Sequence, residues 1–491
     1  MTATQTVRVL VDLTRLLPGG EVGGIKPALV ELLRGLGRQE PGRIQFVLVS
    51  IPATHAEVAA LARPEDSVID RTQLGVDGAT RLRCDVVYCP FGVTDLACPG
   101  VPTVTLVVDL LHRDFPETLA EHDRAVRERD FQSALAVTDR FQVISDYTAG
   151  RLQECYAVPA DRIFRTHLPV HGRLTEAAQS GIASAPFNRP YFFYPANAWP
   201  HKNHETLLVA YALYRQAAGP AAWPLVLTGH ADARVDRLKQ VARSLQIEAE
   251  VCFAGYVSEE QLTACYRQAG ALVFPSLHEG FGIPLLEAMA LGTPILASDA
   301  TAIPEITGPA ALRVDARQPA LLAAALERMA GDPGLRRRLV AHGRNQLATF
   351  SPAAELKQLQ EAIGRAAQNP ARWRRTGYHA VDGLTDPLAI FALPLTAGEI
   401  TLALTLRPLP AARTLQIACG GEMIAELIVP VGQPGNLTVA FAPRARAIVL
   451  RVPDAGSLSP TDPRTHGVLL ESLQVRTDDG RWHDLRGAET T

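Results

Sequence analysis

The apolar runs of this chain come in a repeating rhythm, and that rhythm narrows the folds open to it. VRVLVDL (7–13), IQFVLVS (44–50), DVVYCP (85–90), PTVTLVVD (102–109) and FQVIS (141–145) are short, and helical patterns separate several of them. Short continuous apolar runs mark strands buried on both faces, and their alternation with helices predicts a parallel, doubly wound sheet. After a polar, Pro-containing stretch at 180–190 the rhythm starts again. YFFYPA (191–196), PLVLTG (224–229), VCFAGYV (251–257), ALVFPS (271–276) and TPILAS (293–298) are the strands of a second unit, closed by a long helical run at 318–350.

Beyond about residue 370 the texture changes. GEITLALTLRPL, ARTLQIACGG, EMIAELIVPV, NLTVAFAP and ARAIVLRVP are alternating or β-rich, with Pro, Gly and Asn turns between them, and HGVLLESLQVRTDDGRWHDL continues the style. Strands so spaced predict an antiparallel β-sandwich of about 110 residues. A chain of 491 residues exceeds the size at which single cores stop growing. The expected division is 1–185, 186–370 and 371–491, the first two α/β and the last all-β. The abruptness of the change suggests that the β-rich part is separable from the chemistry of the rest.

The formal net charge of −3 excludes a global basic footprint for nucleic acid. Seven cysteines without a CxxC pair or zinc spacing read as reduced, mostly buried thiols of a cytoplasmic protein. MTATQTVRVLVDL is not a signal peptide, and no window approaches the roughly 18 apolar residues of a membrane span. A peripheral contact with the inner face of the cell membrane stays open. No Asp-x-Asp flanked by apolar residues is present, so no metal is expected, and Asp478-Asp479-Gly480 reads as a turn.

The most chemical segment is HEGFGIPLLEAMALGTP (278–294), directly after the apolar run ALVFPS. Gly280 and Gly282 permit tight backbone geometry and close approach to a ligand. Pro284 suits the first helical position, where its missing N–H costs nothing, and Gly292 with Pro294 ends the helix. Strand, glycine loop and helix N-terminus form a site for an anion such as a diphosphate. A similar order, strand, RLLPGGEVGG and helix, opens the chain. Two glutamates eight apart are common on a solvated helix face, but this string as a whole is far more specific.

The string resembles the Glu-x7-Glu signature of the family-4 retaining glycosyltransferases, and the resemblance covers roughly residues 7–365. It implies the GT-B fold, two Rossmann-like domains facing a cleft. It implies that Glu279 contacts the donor-sugar hydroxyls, that Glu287 binds the ribose, and that the Phe281–Gly282 backbone, with Gly280 beside it, meets sugar and diphosphate. PANAWPHKNHETLL (195–208) looks like the family's loop at the start of the nucleotide domain, with Lys202 at the lysine that meets the donor diphosphate. A fixed ammonium there stabilises charge on the leaving oxygen more in the transition state than in the ground state. Ala196 and Asn197 stand near the place of a family arginine, and His201 is the neighbouring basic residue.

Gly23 and Gly24 resemble the glycine pair that approaches donor phosphates, and Gly229, Tyr256 and Val257 fall where the nucleotide is received. VVDLLHRDFPE (107–117) resembles a His-Asp-Leu-x-His segment in which Val108 replaces the first His, leaving Asp109 to hold a sugar hydroxyl or orient the acceptor. His112 and Glu305 read as structural, and Ser145 or Asp146 as a helix cap. The implied reaction is retaining transfer of a hexose, with mannose from GDP-mannose as the first guess, to a saccharide or lipid-linked saccharide in surface polysaccharide synthesis. Glu279, Lys202 and Asp109 are the catalytic candidates, and no cofactor is expected beyond the nucleotide-sugar co-substrate. Two other readings stand beside it: a catalytically impaired glycan-binding or scaffold protein on the same core, and a sugar-nucleotide epimerase. Self-association or an assembly partner is open as the role of the β-rich region.

Overall fold

The computed structural model describes residues 6–18, 25–39, 42–168, 186–369, 371–372, 375–378, 385–394, 398–455 and 465–487. Its first sheet has the order β3-β2-β1-β4-β5-β6-β7. These strands are β1 Val7–Asp12, β2 Ile44–Ser50, β3 Ser67–Asp70, β4 Val86–Cys89, β5 Thr103–Val107, β6 Arg140–Val143 and β7 Ile163–Arg165. Every pairing is parallel. The second sheet runs β10-β9-β8-β11-β12-β13 and is also parallel. Its strands are β8 Phe192–Pro195, β9 Leu225–Thr228, β10 Val251–Gly255, β11 Ala271–Phe274, β12 Ile295–Ser298 and β13 Ala311–Val314. In each sheet the strand order reverses beside the first strand, between β1 and β4 and between β8 and β11. Such switch points leave a crevice at the carboxyl ends of the strands, where ligands bind open α/β sheets.

The side chains of the first sheet alternate between two different partners. Val9, Val11, Phe46, Leu48, Val86 and Tyr88 face the helix Ile25–Gln39 and the helix Pro352–Gln368. The latter helix, inside the range 186–370 expected for the second unit, crosses back and packs Leu356, Leu359, Ile363 and Ala366 on the first. Leu10, Val47, Val49 and Val87 point the other way, onto the β-rich region.

That region is a two-sheet sandwich of antiparallel strands. The five-stranded sheet is β14-β15-β20-β17-β18: β14 Arg375–Tyr378, β15 Thr385–Ala392, β17 Arg413–Cys419, β18 Glu422–Val429 and β20 Ala447–Arg451. The four-stranded sheet is β19-β16-β21-β22: β16 Ile400–Leu406, β19 Gly435–Phe441, β21 Leu470–Arg476 and β22 Trp482–Asp484. Ala389, Phe391, Ile448 and Leu450 face the sandwich core, while Ile390, Ala447 and Val449 pack on the first sheet. Three sheets are therefore stacked, and β15 and β20 lie in the middle layer. Arg451 pairs with Asp77 and Arg83 with Glu422 across this contact, while Arg446 reaches both Asp85 and the Ala367 carbonyl. The separable module expected from sequence is revised accordingly: the sandwich covers an apolar face of the first unit. Among the described residues no helix is long and apolar enough to cross a membrane.

Candidate active site

The cleft between the two parallel sheets holds about 1250 Å³. Loops after β5, β8, β9, β10 and β11 line it, as the switch-point geometry requires. These loops, with the helix Ile283–Leu291 that follows the last of them, bring together Asp109, Asn197, Lys202, Gly229, Tyr256, Val257, Glu279, Gly280, Phe281, Gly282 and Glu287. Gly23 and Gly24 lie outside the described residues, although the helix that follows them contributes Ile25 and Lys26 to the wall.

Lys202 ends the 3-10 turn Pro200–Lys202, and its Nζ lies 2.6 Å from Glu279 Oε1. Only 15% and 11% of the two side chains is exposed. Asn203 follows with a φ of 62° and donates to the Pro275 and Ala316 carbonyls, which anchors the turn against the strands. Tyr194 donates to the Lys202 carbonyl at 2.9 Å. Burial and the neighbouring Glu279 charge hold the Tyr194 phenol well above its ordinary value, so it remains a donor.

The glycines after Glu279 answer two separate demands. A Cβ at Gly280 would fall 1.7 Å from the carbonyl oxygen of Val108, which belongs to the first unit. Gly282 adopts a φ of 97° as the N-cap of the helix Ile283–Leu291, with Pro284 in the first turn and Gly292 at the C-cap. Glu287 is buried on that helix and accepts the Tyr266 hydroxyl at 2.7 Å, so its carboxylate is held in place at the cleft wall.

Asp109 accepts the Leu111 N–H at 3.0 Å. Burial pushes its carboxyl up, but His278, the Leu111 N–H and more distant cations outweigh burial and hold it below the ordinary carboxylate value. His201 is set back from the cleft wall. Its carbonyl accepts from Leu277, its ring lies 5.7 Å from that of Trp199, and burial with Lys202 beside it pushes the imidazole down to about 4. Tyr256 is 78% exposed at the rim. The Asn197 side chain, at the cleft wall, accepts the His230 N–H at 2.8 Å. His112 bonds Tyr156 at 2.9 Å inside the first unit, as a structural residue does.

Sequence reasoning passed over His278 and Thr301. The His278 ring is 2% exposed, neither nitrogen has a hydrogen-bond partner among the described residues, and Nδ1 is 3.6 Å from Asp114 Oδ2 of the first unit. Thr301 accepts the Glu279 N–H at 3.0 Å. The only signal for either was its nearness in sequence to a glycine loop or a strand end.

Known proteins bear on this geometry. The family described as glycosyl transferases group 1 matches residues 178–346. O-antigen chain mannosyltransferase B of Escherichia coli is 29% identical over 229 residues, 46% of this chain and 60% of that protein. The serotype-specific mannosyltransferase WbdA of Escherichia coli is 30% identical over 188 residues, 38% of this chain and 20% of that protein. The chain thus spans less than two thirds of each of these relatives. Among solved structures, Anabaena HepE in complex with UDP and glucose superposes with a TM-score of 0.56 at 18% identity, covering 73% of this chain and all of that one. WaaG, a glycosyltransferase involved in lipopolysaccharide biosynthesis, gives 0.53 at 14% identity, covering 72% and 99%. The two facing parallel sheets are a GT-B fold, and residues 178–346 of the second unit are similar to the glycosyl transferases group 1 family.

Proposed function

We propose that this protein is a retaining glycosyltransferase that moves a mannosyl group from a nucleotide sugar, GDP-mannose by first choice, to a saccharide hydroxyl in surface polysaccharide synthesis. The observation that carries the reading is the Lys202–Glu279 ion pair, set in the cleft at the head of a glycine-capped helix. A cation beside a carboxylate suits a ligand in which a diphosphate adjoins a sugar. The diphosphate takes the ammonium and the free N–H groups of the helix Ile283–Leu291. The released carboxylate then accepts from sugar hydroxyls. The names of the relatives supply the choice of mannose and of O-antigen-type polysaccharide.

The acceptor hydroxyl attacks the anomeric carbon on the face from which the diphosphate leaves. The new carbon–oxygen bond forms as the bond to the diphosphate breaks, and the hydroxyl proton passes to the departing diphosphate oxygen. Lys202 stabilises the growing negative charge, so the residues of the cleft can do this work without a divalent ion. Asp109, ionised and facing the cleft from the first unit, orients the acceptor or a donor hydroxyl. The protein acts at the inner face of the cell membrane, where lipid-linked acceptors are presented.

A thermal-shift series with GDP, UDP, ADP and their sugar derivatives tests the reading, because a ligand of the folded state raises the melting temperature. GDP and GDP-mannose are expected to give the largest shifts, with release of GDP when a mannan acceptor is added. No shift with any nucleotide would end the transferase reading, and a larger shift with UDP sugars would end the choice of mannose donor.

A further inference from the structure

Glu305, on the short helix Ile303–Thr307, makes its hydrogen bonds outside its own unit. Its Oε1 accepts the Asp146 N–H at 2.8 Å and its Oε2 the Tyr147 N–H at 3.1 Å. These are the first two N–H groups of the helix Asp146–Tyr156 in the opposite unit, and Ser145 takes a third by accepting from Thr148. A helix start leaves such donors without intrahelical partners and carries partial positive charge, so a carboxylate there is stabilising. The other end of the same segment holds the donor loop. The Glu279 N–H donates to Thr301 Oγ1 at 3.0 Å, and the Ala302 N–H donates to the Glu279 carbonyl at 3.4 Å. Thr301 does this at a φ of 52°, a left-handed conformation that threonine rarely adopts. Residues 301–307 therefore run from the main chain of Glu279 to the helix cap of the other unit.

We propose that Glu305 is a positioning residue that couples the approach of the two units to the placement of Glu279; this rests on the transferase reading above. With the units together, Glu305 is anchored on the helix start and the segment behind it is fixed, which fixes both backbone bonds of Glu279. With the units apart, the Asp146 and Tyr147 amides and the Glu305 carboxylate pass to water, and the segment loses its far anchor. The donor carboxylate is then in register only when the acceptor-side unit is in place.

Hydrogen exchange on the full chain tests the coupling without any ligand. In Glu305→Ala the amides of 146–147 are expected to exchange faster, and those of 279–282 to exchange at least about fivefold faster as well. Acceleration confined to 146–147 overturns the proposal. With GDP-mannose as probe, Glu305→Ala is expected to lower kcat roughly tenfold, the scale of one or two charge-assisted hydrogen bonds. GDP affinity should stay within about twofold, because Lys202 and the helix Ile283–Leu291, which take the diphosphate, belong to the second unit. Glu305→Gln, which keeps one acceptor oxygen, should recover part of kcat. Wild-type kcat in Glu305→Ala, or a joint fall of melting temperature and GDP affinity, overturns it. A wild-type chain that binds neither GDP nor UDP ends the transferase reading instead, and the exchange comparison still decides the coupling.

Discussion

Lys202 and Glu279 neutralise each other across 2.6 Å, so removing either one exposes the other. Lys202→Ala is expected to weaken GDP binding by about 1.5–3 kcal/mol, the range for a hydrogen bond to a charged group, and to slow turnover. Calorimetry and nucleotide release measure the two effects, and unchanged values for both would leave Lys202 without a role in the cleft. Glu279→Gln keeps shape but loses charge, and turnover is expected to fall at least about 100-fold with the melting temperature near wild type. Gly280→Ala tests a different contact. Its methyl would meet the Val108 carbonyl at 1.7 Å, and overpacking of this kind costs about 1–3 kcal/mol. The units should be held apart, giving a larger radius of gyration by small-angle scattering in the presence of GDP; an unchanged radius would contradict the contact. Sequence reasoning assigned Gly280 to ligand approach. The contact with the other unit was invisible, because nothing local to residue 280 refers to residue 108.

Strands with a continuous or alternating apolar run were easy to read, and those without one were not. β2 was legible to the residue as IQFVLVS, and the helix Ile283–Leu291 was bounded by Gly282, Pro284 and Gly292. β3, β7, β13, β14 and β15 were missed; the first four lie at sheet edges, and in β15, a buried inner strand, Pro387 interrupts the run. An edge strand covers less apolar surface and so needs no apolar run. The segment from Pro200 into the helix His204–Ala218 carries a pH dependence of its own. Burial, with Lys202 beside them, pushes both His201 and His204 down to about 4 from the ordinary 6.5. Between those values the unfolded chain binds protons that the fold refuses, so stability rises with pH and is lost as pH falls from 6.5 toward 4. Each histidine contributes a slope of up to roughly 1.4 kcal/mol per pH unit in that window. The melting temperature should fall across it, and fall less steeply in His204→Gln; the same slope in both proteins would refute the assignment.

At the scale of the molecule, the sandwich is the cover of the first sheet, and removing it should not be benign. A chain ending at Gln368 would present Leu10, Val47, Val49, Val87 and Val101 to water. It is expected to aggregate on expression, whereas the full chain stays in solution; a monomeric truncated chain with the wild-type melting temperature would show the contact to be dispensable. Val449→Asp in the full chain should lower the melting temperature strongly, since it buries an unpaired charge between two sheets. Period and turn chemistry by themselves determined the two α/β units, the donor loop and the β-rich tail, because each is written within a dozen residues. β17 and β16 alternate buried and half-buried residues as a one-sided strand does, while β20 is buried at four successive positions. That difference says that a second face is covered, but not by what. Only the tertiary structure decided that β20 lies on β1 and β2, that the helix Pro352–Gln368 returns to the first unit, and that Glu305 caps a helix across the cleft. Hydrophobic burial is non-directional, so an apolar face specifies that it must be covered without naming its partner. Pairs such as Arg451 with Asp77, 374 residues apart, leave no periodic trace in the chain.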